Sequence, residues 1–78
     1  MQHKPKKGDL VKITSLDAGD PEVLKIGTTG IVLEDEEEYC NSPYINWNVK
    51  PNEWLNNGRG LIKENTCYAM RIDQFDLV

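Results

Sequence analysis

The sequence contains few of the residues that build catalytic or metal sites. It has one histidine and two cysteines among 78 residues. His3 lies close to the start of the chain, so no Ser-His or Cys-His pair can be placed on the folded body. His3, Cys40 and Cys67 together fall short of four zinc ligands, and no C-x-x-C spacing occurs. We therefore expect no enzymatic activity, no metal site and no cofactor.

Long apolar runs are also absent. The first seven residues, MQHKPKK, are basic and are not followed by an apolar segment. We therefore expect neither a membrane span nor a secretory signal. Two cysteines in a chain without an export signal are more typical of free thiols than of a disulfide. We expect Cys40 and Cys67 to be reduced and the protein to be cytoplasmic.

The length and composition predict one small globular domain. A chain of 78 residues buries only about 60% of its unfolded surface, which leaves no room for a second lobe. Hydrophobic residues make up 38% and charged residues 28%, which is too apolar for a disordered chain. We expect residues 1–7 to form a flexible basic arm and residues 8–78 to form a single domain. A monomer is the default expectation.

Two glycines mark the place where a loop becomes a strand. Gly27 and Gly30 suggest positions that need a positive φ angle or the close approach of another strand. The residues between and after these glycines, up to Val32, are β-branched and pack well on a pleated surface. This stretch therefore predicts a tight turn that leads into the second strand.

Two other segments alternate between apolar and polar residues with the period of a β-strand. The first is Leu10–Thr14, in which Val11 and Ile13 share one face. The second, Tyr44–Val49, gives the clearest alternation in the chain. Its apolar face consists of Ile45, Trp47 and Val49, and its other face consists of Tyr44, Asn46 and Asn48.

The last third of the chain leaves two alternatives for the fourth strand, Leu61–Lys63 or Thr66–Arg71, and we favour the second. Ile72–Gln74 then predicts a single tight turn, and Phe75–Val78 a short closing strand with Phe75 and Leu77 directed inward. Four to five short strands without an amphipathic helix predict a closed or nearly closed barrel, because closure removes exposed edges. The predicted core consists of Val11, Ile13, either Ile31 or Val32, Ile45, Trp47, Val49, Phe75 and Leu77.

Three segments between the strands carry the remaining signals. Residues 15–23 predict a long loop, and the apolar side chains in and after it (Leu16, Val23, Leu24 and Ile26) favour a plug over one end of the barrel rather than a recognition lid. The acids of residues 34–38 repel one another and predict a solvated hairpin loop. In residues 50–60, Pro51 could begin a helical turn that Gly58 ends, and we expect Trp54 to cap the core rather than stand exposed.

The chain resembles a known class of barrel. Residues 8–13 (GDLVKI) and 27–32 (GTTGIV) are similar to the pattern G-D-x-V-x-I followed by G-x-x-G-x-V in SH3-like barrels of the KOW type. Residues 45–47, 57–62 and 72–78 resemble the second half of small SH3-like proteins of bacteria and their phages. The resemblance implies a KOW-like barrel of about five short antiparallel strands. It also implies a bacterial cytoplasm, or the host cytoplasm for a phage protein.

The resemblance and the charge lead to three functional expectations. KOW barrels imply contact with RNA, the ribosome or RNA polymerase, but a net charge of −4 and a pI near 4.8 oppose a grip on phosphates. We therefore expect a binding module for another protein, regulatory or accessory in role. The aromatic candidates for this contact are Tyr39, Tyr44, Trp54 and Tyr68, with Trp47 as a further aromatic residue.

Two alternatives remain open at the level of sequence. A one-sided basic face for nucleic acid would consist of Lys6, Lys7, Lys12 and Lys25, with Lys4 nearby. An acidic surface that mimics nucleic acid and inhibits a DNA- or RNA-binding protein of the host would consist of Glu36, Glu37 and Glu38.

Overall fold

The computed structural model describes residues 4–55 and 66–78, which form five β-strands and three one-turn 3₁₀ helices. The strands are β1 (Leu10–Ile13), β2 (Thr29–Val32), β3 (Tyr44–Trp47), β4 (Cys67–Ala69) and β5 (Phe75–Leu77). The 3₁₀ helices are η1 (Glu36–Glu38), η2 (Glu53–Leu55) and η3 (Ile72–Gln74). The predicted small all-β fold is confirmed, and so is the prediction of a strand within Thr66–Arg71.

The five strands form one antiparallel sheet in the order β4-β3-β2-β1-β5. β3 and β5 are separated by β2 and β1, a distance of about 14 Å in a flat sheet with about 4.8 Å between strands. The ring centroids of Trp47 on β3 and Phe75 on β5 are nevertheless 6.2 Å apart, in an edge-to-face arrangement. The sheet therefore curls around its apolar face, as a barrel-like fold requires.

The main core lies inside this curl and contains most of the predicted residues. Val11, Ile13, Ile45, Trp47 and Phe75 are buried as expected. Of the two candidates on β2, the buried residue is Val32. Val49 lies just past the end of β3 and is only partly buried, although it packs against the core. The core also includes three residues outside the predicted set, Leu24, Leu55 and Met70.

Leu77 corrects the prediction for the closing strand. Its register opposite Val11 places it on the core face of the sheet, since cross-strand partners share a face. It is still 40% exposed, whereas Phe75 is 2% exposed. Phe75 lies opposite Ile13 and packs edge-to-face on Trp47, whereas Leu77 is at the other end of β5 and is not part of the core cluster.

The positions of Gly27, before β2, and Gly30, within β2, require glycine for different structural reasons. Gly27 has a φ angle of 96°, and its N–H donates to the carbonyl of Ile13 over 2.8 Å, so it supplies the positive φ of the turn into β2. Gly30 lies opposite Trp47 in the sheet. A Cβ atom on Gly30 would be 2.6 Å from Cε3 of Trp47 and 2.7 Å from Cγ2 of Ile45. Gly30 thus gives the indole ring the space to lie against β2.

Pro5 in the N-terminal arm and Glu34 in the acidic run are both buried, contrary to expectation. Pro5 is buried, and the Tyr39 hydroxyl donates to its carbonyl, so the folded body contacts this position of the predicted arm. Glu34 is 6% exposed, and its carboxylate accepts the N–H of Tyr44, so the first of the five acids is not solvated. A carboxylate can be buried in this way when it receives hydrogen bonds. The other four acids are exposed as expected.

Some expectations fall outside the described residues. These are the alternative strand Leu61–Lys63, the end of a helical turn at Gly58, and residues 1–3 of the arm. Within residues 4–55 and 66–78, no helix has the length and apolar character needed to cross a membrane.

The two tryptophans provide a matched test of the core. Trp47 is 1% exposed and Trp54 is 75% exposed. Trp47→Ala should lower the free energy of unfolding by about 3 to 5 kcal/mol, because it removes the largest buried side chain. Trp54→Ala should change it by less than about 0.5 kcal/mol. Urea denaturation followed by circular dichroism measures both, and equal losses in the two variants would contradict this core.

Gly30→Ala should destabilise the fold by about 1 to 3 kcal/mol, because its methyl group overlaps Trp47 and Ile45. Gly19→Ala is the control, since no atom lies within 4 Å of the added Cβ atom and the backbone there needs no positive φ. Thermal melting of both variants measures the difference. A Gly30→Ala protein that melts with the parent would show that the indole ring does not rest on β2.

Candidate protein-binding groove

The loop between β1 and β2 closes one end of the core. Leu24 in this loop is fully buried, and Leu16 and Val23 pack against the core from outside. The predicted plug is therefore confirmed for these three residues. Ile26 is different, because it is 67% exposed and leaves an apolar side chain on the surface.

Hydrogen bonds fix the outer part of this loop to itself. The N–H of Asp17 donates to the carboxylate of Asp20 over 2.7 Å, and the N–H of Asp20 donates to the carbonyl of Asp17 over 3.1 Å. Such side-chain to backbone bonds are typical of aspartates in turns. The segment from Ala18 to Val23 therefore has a defined path over the end of the barrel.

Helix η3 holds the same loop from the other side. The amide nitrogen of Gln74 donates to the Asp20 carboxylate over 2.9 Å, and the guanidinium of Arg71 contacts Asp17 at 2.6 Å and Asp73 at 3.1 Å. These two carboxylates raise the pKa of Arg71 above its ordinary value, Asp17 having the larger effect. The Arg71 pairs are exposed, and such pairs add little stability. Gln74 is buried, and we expect it to hold the loop more firmly.

Trp54 corrects the expectation that it caps the core. Successive side chains of a 3₁₀ helix point about 120° apart, so neighbouring residues of η2 cannot both face inward. Leu55 takes the inward position and is fully buried, while Trp54 is 75% exposed. The N–H of Trp54 donates to the side-chain oxygen of Asn52 over 2.8 Å, which fixes the backbone that carries the indole.

A groove of about 700 Å³ lies between this tryptophan and the β1–β2 loop. We call it the Trp54 groove. Its lining consists of Ala18, Gly19, Asp20, Pro21, Glu22 and Val23 on the loop side and of Asn52, Trp54 and Tyr68 on the other side. A second and smaller groove of about 410 Å³ lies on the other flank of the loop, and it shares Asp20, Pro21 and Glu22.

Tyr68 is the part of the Trp54 groove that comes from the sheet. Its carbonyl accepts the indole N–H of Trp47 over 3.1 Å, which ties its backbone to the core. Within the described residues its hydroxyl group has no hydrogen-bond partner. Burial, followed by the negative charges of Asp20 and Asp17, raises the pKa of Tyr68. The hydroxyl therefore remains a neutral donor and acceptor near neutral pH.

Two of the four aromatic candidates lie elsewhere. Tyr44 is buried, and its side chain is therefore not available to a partner. Tyr39 is half-buried, and its hydroxyl is used by the carbonyl of Pro5. Burial, with smaller effects of Glu36 and Asp9, raises the pKa of Tyr39. The structure therefore brings together only Trp54 and Tyr68 of the predicted set.

Of the four basic candidates, Lys6 and Lys7 are consecutive in the sequence, and Lys6, Lys12 and Lys25 lie near acids. Lys6 lines a pocket together with Lys4 and with Asp35, Glu36 and Glu37 of the acidic run. Lys12 lies opposite Asp76 in the sheet, and Lys25 shares the smaller loop groove with Asp17 and Glu22. Lys7 is exposed in the turn before β1. The acids beside three of these lysines reduce the positive charge that they would offer to a phosphate backbone.

The exposed part of the acidic run, residues 35–38, forms a compact turn with a hydrogen bond between two of its own residues. The carboxylate of Glu38 accepts the N–H of Asp35 over 3.1 Å, and η1 holds Glu36, Glu37 and Glu38 in one turn. Since Lys4 and Lys6 line the same pocket as Glu36 and Glu37, the surface has mixed charge.

Within residues 4–55 and 66–78, no cluster of three or more His, Cys, Asp or Glu side chains has a geometry suited to a metal ion. Both cysteines are free, with Cys40 exposed and Cys67 buried. Burial raises the pKa of Cys67, and the Thr66 hydroxyl offsets part of the shift.

Sequence reasoning missed the loop side of the Trp54 groove. The local pattern predicts only a connecting loop for Asp20, Pro21 and Glu22, and it gives Asn52 no functional signal. The available signal was the pattern of residues 20–24, where two acids flank Pro21 and directly precede two apolar side chains that plug the core. Such a pattern fixes the acids at the surface.

Comparison with protein-family models gave no match, and searches of curated proteins and of solved structures found no significant match either.

The two thiols should react at different rates. In the native protein a small thiol reagent such as DTNB should modify Cys40 quickly and Cys67 slowly, because Cys67 is buried and its pKa is raised, and thiolate is the reactive form. In denaturant without reductant both should react. Absorbance at the reagent's product band gives the count, and finding no reactive thiol in denaturant would contradict the free state.

Proposed function

We propose that this protein is a non-enzymatic binding module that recognises another protein through the Trp54 groove. The observation that carries the proposal is the exposure of Trp54, a large aromatic side chain held over a groove by a fixed backbone. Tryptophan and tyrosine are the residues that most often supply binding energy at protein interfaces. The groove contains one of each, and both are attached to elements that the core holds in place.

The rigidity of the groove supports this function. The backbone of Tyr68 is hydrogen-bonded to the indole of Trp47, and Leu55, next to Trp54, is buried. On the loop side of the groove, Asp20 is hydrogen-bonded to Gln74. A surface that is already ordered loses less conformational entropy on binding. The groove therefore presents a formed site to its partner.

The SH3-like resemblance belongs to this proposal. The strand order, with each neighbour antiparallel, supports a small barrel of that kind. We include in the proposal an accessory or regulatory role in a bacterium or phage, with a cytoplasmic location. The two alternatives receive less support, because the lysines are dispersed among acids and the acidic run lies beside Lys4 and Lys6.

Affinity capture from a bacterial lysate tests this function. The immobilised protein should retain a protein partner after nuclease treatment, because aromatic contacts do not depend on nucleic acid. Trp54→Ala should lose most of the captured partner, with at least about a thirtyfold loss of affinity. Ile31→Ala is the matched control, since Ile31 is also an exposed apolar residue but lies on β2 away from the groove.

The other outcomes would contradict the proposal. Capture that nuclease abolishes, and that charge reversal at Lys6, Lys7 or Lys12 weakens, would indicate a nucleic-acid binder. Capture of a basic DNA- or RNA-binding protein that salt releases, and that depends on Glu36, Glu37 and Glu38 together, would indicate an acidic mimic. Equal capture by Trp54→Ala and the parent would exclude the groove.

A further inference from the structure

We infer that the Trp54 groove takes an extended segment of its partner that places a lysine or arginine side chain between Glu22 and the indole of Trp54. This inference rests on the proposed function and adds the chemistry of the ligand. It follows from which polar groups of the groove are already used by the protein and which are not.

Two of the acids near the groove are engaged within the protein. The Asp17 carboxylate pairs with Arg71, and the Asp20 carboxylate accepts hydrogen bonds from the N–H of Asp17 and the side chain of Gln74. Both carboxylates help to hold the β1–β2 loop in place. Each of these carboxylates already has internal partners, so less of its hydrogen-bonding capacity is left for a ligand.

Glu22 is the acid of the groove that remains available. It is exposed, it lines both grooves of the loop, and within the described residues it makes no hydrogen bond or salt bridge. Its neighbours Pro21 and Val23 fix the local backbone, since Val23 packs on the core. Since Glu22 has no ion pair within residues 4–55 and 66–78, a partner's ammonium or guanidinium group would supply a counter-charge there.

Trp54 gives the second half of the same subsite. It lines the groove with Glu22 and is 75% exposed. Indole is the aromatic group that best attracts a cation to its ring face, and the apolar stem of lysine or arginine adds contact area. A carboxylate and an indole in one groove thus favour a basic side chain over an acidic one, which Glu22, Asp20 and Asp17 would repel.

The remaining polar groups suit the backbone of an extended segment. The Tyr68 hydroxyl has no partner within the described residues and is able to donate to a carbonyl. The side-chain oxygen of Asn52 accepts the N–H of Trp54, and among the described residues its NH₂ group makes no hydrogen bond, so it is a second donor. An extended chain has free carbonyl groups that these donors would satisfy.

Selection from a random peptide library displayed on phage tests the inference with the full chain as bait. The parent should enrich peptides that contain a lysine or arginine next to an apolar residue. Glu22→Lys should instead enrich peptides with an acid at that position, because the charge of the subsite is reversed. Glu37→Lys is the matched control, since it makes the same charge change on exposed η1 and should keep the parent's preference.

A synthetic form of the most enriched peptide then gives the size of each contribution by fluorescence anisotropy. Glu22→Gln should weaken binding roughly fivefold, as expected for an exposed charge pair. Trp54→Ala should weaken it about thirtyfold or more, and Glu37→Gln less than about twofold.

Enriched peptides without a basic residue, or a basic preference that Glu22→Lys leaves unchanged, would overturn the inference. Both results leave nuclease-resistant, Trp54-dependent capture intact, so they are distinguishable from failure of the proposed function. The absence of any enriched peptide would also overturn it, because the groove would then not accept an isolated extended segment.

Discussion

The contact between Trp47 and the backbone of β2 at Gly30 is the constraint on which the rest of the structure depends. Because Gly30 has no Cβ atom, the indole ring lies directly against the neighbouring strand. From there it contacts Phe75 on the edge strand β5. A curl of this kind buries one face of a sheet of three- and four-residue strands. A domain of this length has little apolar surface to spare, and therefore depends on such close packing.

The same indole connects the core to the groove. Its N–H donates to the carbonyl of Tyr68, so the residue that holds the sheet curled also holds the base of the Trp54 groove. The loop side of the groove does not depend on Trp47. It is held by the burial of Leu24 in the core and by the hydrogen bond from Gln74 on η3 to Asp20. The surface aromatic residues of the groove are therefore placed by buried neighbours.

The sequence predicted the strands and most of the core because period-two alternation and glycine spacing are local signals. It predicted Val11, Ile13, Ile45, Trp47 and Phe75 for this reason. It failed where position along the barrel decides burial, as at Leu77, and where contacts distant in sequence cover a side chain, as at Tyr44. Trp54 was misassigned because periodicity cannot tell which of two adjacent apolar residues in a one-turn helix faces the core.

Of the candidate site, sequence reasoning identified the two aromatic residues but not their acidic neighbours. An acid in a loop is ordinarily a solvated residue. Only the fold shows that Asp17 and Asp20 have internal partners, because Arg71 and Gln74 reach them across 54 positions of sequence. Among the described residues, Glu22 has no such partner. The functional meaning of the loop therefore depends on long-range contacts that no local pattern contains.

Mapping of binding by nuclear magnetic resonance tests the central claim, that the Trp54 groove is the recognition surface, most directly. The two indole N–H groups give separate signals, one from a buried and one from an exposed ring. Addition of the captured partner to ¹⁵N-labelled protein should shift the Trp54 indole and the amides of residues 18–20, 22, 23, 52 and 68, and leave those of Leu10, Ile31 and Asn46 unchanged. Shifts confined to the outer sheet face or to the basic N-terminal residues, with Trp54 unaffected, would contradict the account.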